Sequence, residues 1–156
     1  MTTIAIDPGK NGGIAYQLAN GETYSKPMPA TTGDIIDLLR TIKVHSASGV
    51  CCFMESLVKY VGNNQAGSAA IVYGQNYGFV EGAVQALGIR LKFVRPQQWM
   101  KALGLGTRGD KSKTVWKNKL KAEAQRLFPA ERVTLATADA LLILEYATTL
   151  QEAADA

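Results

Sequence analysis

The chain has 156 residues, enough for one domain with a core of its own. Apolar residues make up 47% and charged residues 19%, an ordinary globular balance, and no apolar stretch is long enough to cross a bilayer. The net charge of +4 and a pI near 9.1 permit a nucleic-acid partner without demanding one.

Thr2 to Asp7 reads as a strand with Ile4 and Ile6 on one face and an acid at its end. Pro8-Gly9 and Asn11-Gly12-Gly13 are turn signals. Gly13 to Leu18 and Glu22 to Lys26 are further strands joined by an Asn20-Gly21 hairpin turn, which makes an antiparallel meander. Thr31 to Lys43 has helical spacing. Gly49 to Met54 is wholly apolar, the pattern of a strand covered on both faces, and Glu55 follows it. Cys51 and Cys52 are neighbours in that run and face opposite sides. They are read as two separate buried thiols in a reducing compartment. No leading segment resembles a signal peptide, so a soluble cytoplasmic protein is expected, with no membrane partner.

A loop is expected over Ser56 to Gln65, then a long helix over Ala66 to Leu87. Gly74, Gly78 and Gly82 share one face of it, which suggests close packing against another backbone. Ile89 to Val94 is the fifth strand, and Pro96 starts a short helix to Leu103. A glycine-rich loop, Gly104 to Asp110, leads to a basic helix, Lys111 to Phe128, and Thr134 to Leu150 is the last helix. Trp99 and Trp116 are read as packing residues. No repeat or linker divides residues 1–156, so one α/β domain is expected, a mixed five-stranded sheet flanked by helices.

Three acids stand out. Asp7 and Glu55 each end an apolar strand, and strand ends are favoured ligand sites in α/β sheets. Asp139 shares a helical stripe with Leu142, Ile143, Tyr146, Ala147 and Leu150, where a charge is expensive unless paired or bound to metal. Three carboxylates with a single histidine, His45, in the chain suit Mg²⁺ or Mn²⁺ and argue against zinc. Two such ions about 3.5–4 Å apart can activate a water and steady the leaving oxygen of a phosphodiester.

Basic residues crowd positions 101 to 126: Lys101, Arg108, Lys111, Lys113, Lys117, Lys119, Lys121 and Arg126, against Asp110 and Glu123. Lys113, Lys117 and Lys121 align at helical spacing with no intervening acid, which points to a polyanion. Gly104, Gly106 and Gly109 offer backbone amides to phosphate or simply bend the loop. Lys10, Lys59, Tyr60 and Arg108 join the lysine row as candidate DNA contacts.

These motifs resemble the RuvC family of Holliday-junction resolvases, in its phage-type form. The first strand ends Ile-Ala-Ile-Asp7-Pro8-Gly9, the fourth ends Phe53-Met54-Glu55-Ser56, and the last helix holds Ala138-Asp139-Ala140-Leu141. Arg95-Pro96-Gln97-Gln98-Trp99, Lys111-Ser112-Lys113 and Leu127-Phe128-Pro129 resemble segments of phage members. The resemblance spans essentially the whole chain. It implies a ribonuclease-H-like domain and a homodimer that grips a four-way junction and nicks it symmetrically. It implies Asp7, Glu55 and Asp139 as ligands of two Mg²⁺ or Mn²⁺ ions, and Lys111 or Lys113 near the scissile phosphate. In relatives the loop after the fourth strand carries a side chain that enters the junction; Tyr60, Val58 and Val61 are candidates here.

The family usually carries a fourth acid three residues before the last one, and this chain has Ala136 there. Either three acids suffice, or a neighbour substitutes (Leu135 and Thr137 are poor candidates), or Ala136 is an engineered replacement of an aspartate that inactivates the enzyme. The last reading is favoured because the surrounding segment is otherwise intact. The competing functions are a non-catalytic branched-DNA-binding protein, a nuclease of the same fold acting on flaps or RNA–DNA hybrids, and an ATPase using the Asp7-Pro8-Gly9 loop.

Overall fold

Tight turns shape the first part of the chain. Strands β1 (Thr2–Asp7), β2 (Gly13–Gln17) and β3 (Thr23–Pro27) pair antiparallel, with Asp7 opposite Gly13. Gly21 supplies the positive φ, +90°, that the β2–β3 turn requires. The computed structural model describes residues 1–57 and 67–156. Within them follow α1 (Thr32–Val44), β4 (Val50–Glu55), α2 (Gly67–Ala86), β5 (Arg90–Val94), α3 (Pro96–Ala102), α4 (Lys113–Leu127) and α5 (Ala138–Asp155). Thr31 caps α1 by accepting from the Asp34 amide at 3.1 Å, and Ser112 caps α4 by accepting from the Val115 amide at 3.2 Å. The second cap places Lys111 in the loop, outside the helix that its basic run suggested.

The sheet order is β3-β2-β1-β4-β5, with β1, β4 and β5 parallel. Alternation along β1 and β4 feeds two cores. Ile4, Ile6, Cys52 and Met54 face α1 and α2, while Ala5, Cys51 and Phe53 face α3, α4 and α5. The two cysteines therefore lie in different cores as free thiols, and burial pushes the Cys52 thiol up.

One sequence expectation needs correction. The last helix is not one-sided: Leu141 and Leu144 are as buried as Leu142 and Ile143, while Leu150 is 44% exposed. Its first two turns pack against both the sheet and α4, so every face meets protein. Within the described residues of this chain, a Cβ at Gly74, Gly78 or Gly82 would meet nothing within 4 Å, so the α2 glycine row is not used for packing inside the described part of the domain.

Gly13 is the opposite case. A Cβ there would lie 2.6 Å from the Ala136 carbonyl oxygen and 2.9 Å from that of Lys26, both backbone atoms. Gly13→Ala is expected to lower stability by about 1–3 kcal/mol. Gly78→Ala is expected to raise it by about 0.5–1 kcal/mol through helix propensity alone. Urea unfolding of the two variants checks the pair.

Candidate active site at the strand ends

Strand register positions the first two acids. Ile6 pairs with Met54, so Asp7 and Glu55 stand one residue further along adjacent parallel strands. Asp7 has the parity of Ala5, and Glu55 that of Phe53, so both point to the face that α5 covers. Asp139 lies in the first turn of α5, 6% exposed, where the helix N-terminus favours a negative charge.

Their electrostatics confirm a shared environment. Burial, and then the neighbouring Asp139, push Asp7 up from 3.8 to about 6; Lys117 and the Gly9 amide oppose this. Burial, then Asp7, push Glu55 up from 4.5 to about 7, against the pull of the Trp99 indole. As placed, the acids do not close into a finished metal set: among the described residues no three His, Cys, Asp or Glu side chains group tightly enough to hold an ion. The donor chemistry still suits a hard cation, since all three offer carboxylate oxygens. Among the described residues Asp139 Oδ1 is buried without a hydrogen-bond partner, an atom that calls for one.

Lys117 is the first residue whose role the sequence concealed. Its ammonium pairs with Asp139 Oδ2 across the α4–α5 contact. Burial opposes its charge, but Asp139, Asp7 and Glu55 outweigh burial and hold its pKa above the ordinary lysine value. No acid intervenes along the Lys113, Lys117, Lys121 row, yet its central member has an acid partner. The partner stands on another helix, 22 residues on.

Trp99 and Tyr73 were also missed. The Trp99 indole donates to Glu55 Oε2 at 3.0 Å. Burial and the Glu55 and Asp7 carboxylates push the Tyr73 hydroxyl up to about 12, so it stays a neutral donor beside the acids. The Asp7-Pro8-Gly9 turn is held by the Asn76 amide, which donates to the Pro8 carbonyl. A Cβ at Gly12 would fall 2.9 Å from Asp7 Oδ1, so the turn closes directly over the acid.

A cleft of about 930 Å³ opens over Asp7. Lys10, Tyr73, Lys113, Lys117 and Ala136 are among its lining residues. Lys111 and Arg108 are exposed in the preceding loop, where the Arg108 guanidinium donates to the Lys111 carbonyl at 2.9 Å. Of the two candidate lysines for the scissile phosphate, Lys113 lines the cleft and Lys111 does not. Lys121 is half-buried further along α4. Lys119 donates to the Leu105 carbonyl at 2.8 Å and so holds the glycine loop to α4. Gly104, Gly106 and Gly109 all take positive φ there. Lys59, Tyr60, Val58 and Val61 lie outside the described residues.

Ala136 is not one helical turn before Asp139. Residues Thr134 to Thr137 form a turn of their own, in which the Thr134 amide donates to Thr137 Oγ1 at 3.0 Å, and α5 starts at Ala138. Position 136 nonetheless borders the same cleft as Asp7.

A five-stranded mixed sheet with this order, flanked by helices on both faces, is the ribonuclease-H-like α/β fold. The chain is similar in structure to RuvC of Thermus thermophilus, with a TM-score of 0.54 at 20% identity, covering 92% of this chain and 91% of that one. It is also similar to T. thermophilus RuvC in complex with a Holliday junction substrate, with a TM-score of 0.57 at 20% identity, covering 98% and 96%. No protein-family model matches the chain, and no curated protein sequence matches it. At this identity the likeness is one of fold. No described helix is long and apolar enough to cross a membrane.

The raised Asp7 and Glu55 values mean that the metal-free fold prefers these acids protonated. That contribution is complete below the ordinary values of 3.8 and 4.5 and is lost as pH rises through about 6 and 7. At neutral pH with a chelator, Asp7→Asn is therefore expected to melt above the unaltered chain, by of order 1 kcal/mol. Lys117→Met is expected to melt below it, because Asp139 then loses its counter-charge. Thermal melts of both variants check the signs.

Proposed function

We propose that this chain is a structure-specific DNA endonuclease, a homodimer that resolves four-way junctions by metal-dependent phosphodiester hydrolysis. The observation that supports this best is that Asp7, at the wall of a cleft bordered by lysines, is electrostatically coupled to both Glu55 and Asp139. The fold is that of a T. thermophilus protein solved with a Holliday junction substrate.

Asp7, Glu55 and Asp139 would hold Mg²⁺ or Mn²⁺, with two ions in a fully equipped site. When bound, such ions supply Lewis-acid charge to the phosphate and lower the pKa of water. The chain's own groups do the rest. Lys113 and Lys117 offer positive charge to the phosphate oxygens, and Lys10 extends that charge along the rim. Tyr73 presents a neutral hydroxyl. Arg108, Lys111 and Lys121 extend the basic surface beyond the cleft, and Lys59 and Tyr60 would meet the junction from the β4–α2 loop. Lys111 keeps a role in backbone binding rather than at the scissile phosphate.

Ala136 leaves this site one carboxylate short, in keeping with an inactivated form of the enzyme. The same observation, together with the Lys117 ammonium on Asp139, favours a second reading: a branched-DNA-binding protein that does not cut.

Cleavage of a labelled four-way junction in Mg²⁺ or Mn²⁺ separates the two. Ala136→Asp is expected to raise junction nicking above that of the unaltered chain. Asp7→Asn in that background is expected to lower it by about 10³-fold or more while binding persists. Junction binding without cleavage by either protein establishes the second reading. Equal affinity for junction and linear duplex overturns both.

The basic surface has its own test. Lys113→Ala and Lys121→Ala are each expected to weaken junction binding and to lower the slope of log affinity against log salt by about 1. Titrations between low and moderate salt read this directly.

A further inference from the structure

Trp99 is fully buried, and an indole N–H is a donor with no acceptor capacity. Burial obliges it to find an acceptor. It finds Glu55 Oε2 at 3.0 Å, the carboxylate 44 residues earlier.

The approach is built by the backbone. The Ser56 amide donates to the Val94 carbonyl at 2.8 Å, which locks the end of β4 to the end of β5. Pro96 then opens α3 at once, and the Arg95 amide donates to Gln98 Oε1 at 2.9 Å, which fixes the first turn. Trp99 is thereby carried to Glu55, in the α5-side core that also holds Phe53, Val94 and Leu141. The ring is fully buried and its N–H already engaged, so the donor is in place at Glu55 before any ligand arrives.

We propose that Trp99 is the positioning residue of Glu55: its indole holds one carboxylate oxygen, presents the other to the divalent cation, and so sets the affinity of the site for metal. This rests on the reading of Glu55 as a metal ligand. Partners that orient a ligating group typically contribute 10–100-fold to metal affinity. Phenylalanine at this position keeps the aromatic packing and loses the N–H.

Calorimetric titration of the full chain with Mn²⁺ tests it, with Trp99→Phe and Trp116→Phe side by side. Trp116 is also buried in the α5-side core and, among the described residues, no acid accepts from its indole, so it controls for packing loss. Trp99→Phe is expected to bind Mn²⁺ about tenfold more weakly or worse, and Trp116→Phe to match the unaltered chain. A folded Trp99→Phe protein with unchanged Mn²⁺ affinity overturns the proposal and leaves Glu55 as a ligand. If the unaltered chain binds no Mn²⁺, or if binding survives Glu55→Gln, the metal reading itself fails and takes this proposal with it. Should Trp99→Phe fail to fold, the fluorescence of the Trp116→Phe protein decides, since Trp99 is then its one indole. A Mg²⁺-dependent change in emission that Glu55→Gln abolishes upholds the proposal, and no change at saturating Mg²⁺ overturns it.

Discussion

The repulsion among three partly buried carboxylates is the constraint around which this molecule is arranged. Parallel pairing of β1 with β4 brings Asp7 and Glu55 to neighbouring strand ends on one face. Close packing of α5 on β1 and β2 then adds Asp139. Each acid receives a partial remedy from a different element: an amide from the Pro8-Gly9 turn, an indole from α3, and an ammonium from α4. None of these removes the excess negative charge. Asp7 and Glu55 remain well above the ordinary carboxylate range, and a buried oxygen of Asp139 finds no partner among the described residues. A fold selected for stability alone would place apolar groups here.

The fold can carry that cost because its cores are separate from it. Ile4, Ile6, Cys52 and Met54 join α1 and α2 on one side of the sheet. Ala5 and Phe53 join α3 to α5 on the other. The acids sit just past the last apolar pair of each strand, so the charge lies at the end of the sheet and not within either core.

The acids were legible in the sequence because each has a local signature. Asp7 and Glu55 follow apolar runs, and Asp139 interrupts an apolar helix. The ribonuclease-H-like sheet was legible for the same reason: turns, alternation and apolar runs are short-range patterns. Lys117 and Trp99 were not, because their partners lie 22 and 44 residues away. Lys117 looked like one member of a polyanion-facing row, since periodicity records which residues share a helix face and says nothing of what packs against it. The α2 glycines make the same point: their spacing marks a face without naming its partner, and within the described residues of this chain that face is open. At α5 the helical pattern was read through Thr134–Thr137, where threonine hydroxyls bond to local backbone and delay the helix by a turn.

That delayed start gives position 136 its place in the site. Asp7 pairs with Gly13 across β1 and β2, and the Gly13 backbone presses against the Ala136 carbonyl so closely that a Cβ would not fit. The turn that carries Ala136 is therefore seated on the strand that pairs with the Asp7 strand. Residue 136 owes its position to β2 and Asp139 owes its position to α5, although only three residues separate them. A carboxylate at 136 would hang from the turn into the cleft above Asp7, on the far side of it from Glu55 and Trp99. The geometry thus separates the acids into a pair anchored by parallel strands and a pair of positions anchored by the turn and first turn of α5. Alanine at 136 puts no carboxylate there, and the backbone that supports the position does not depend on the side chain it carries.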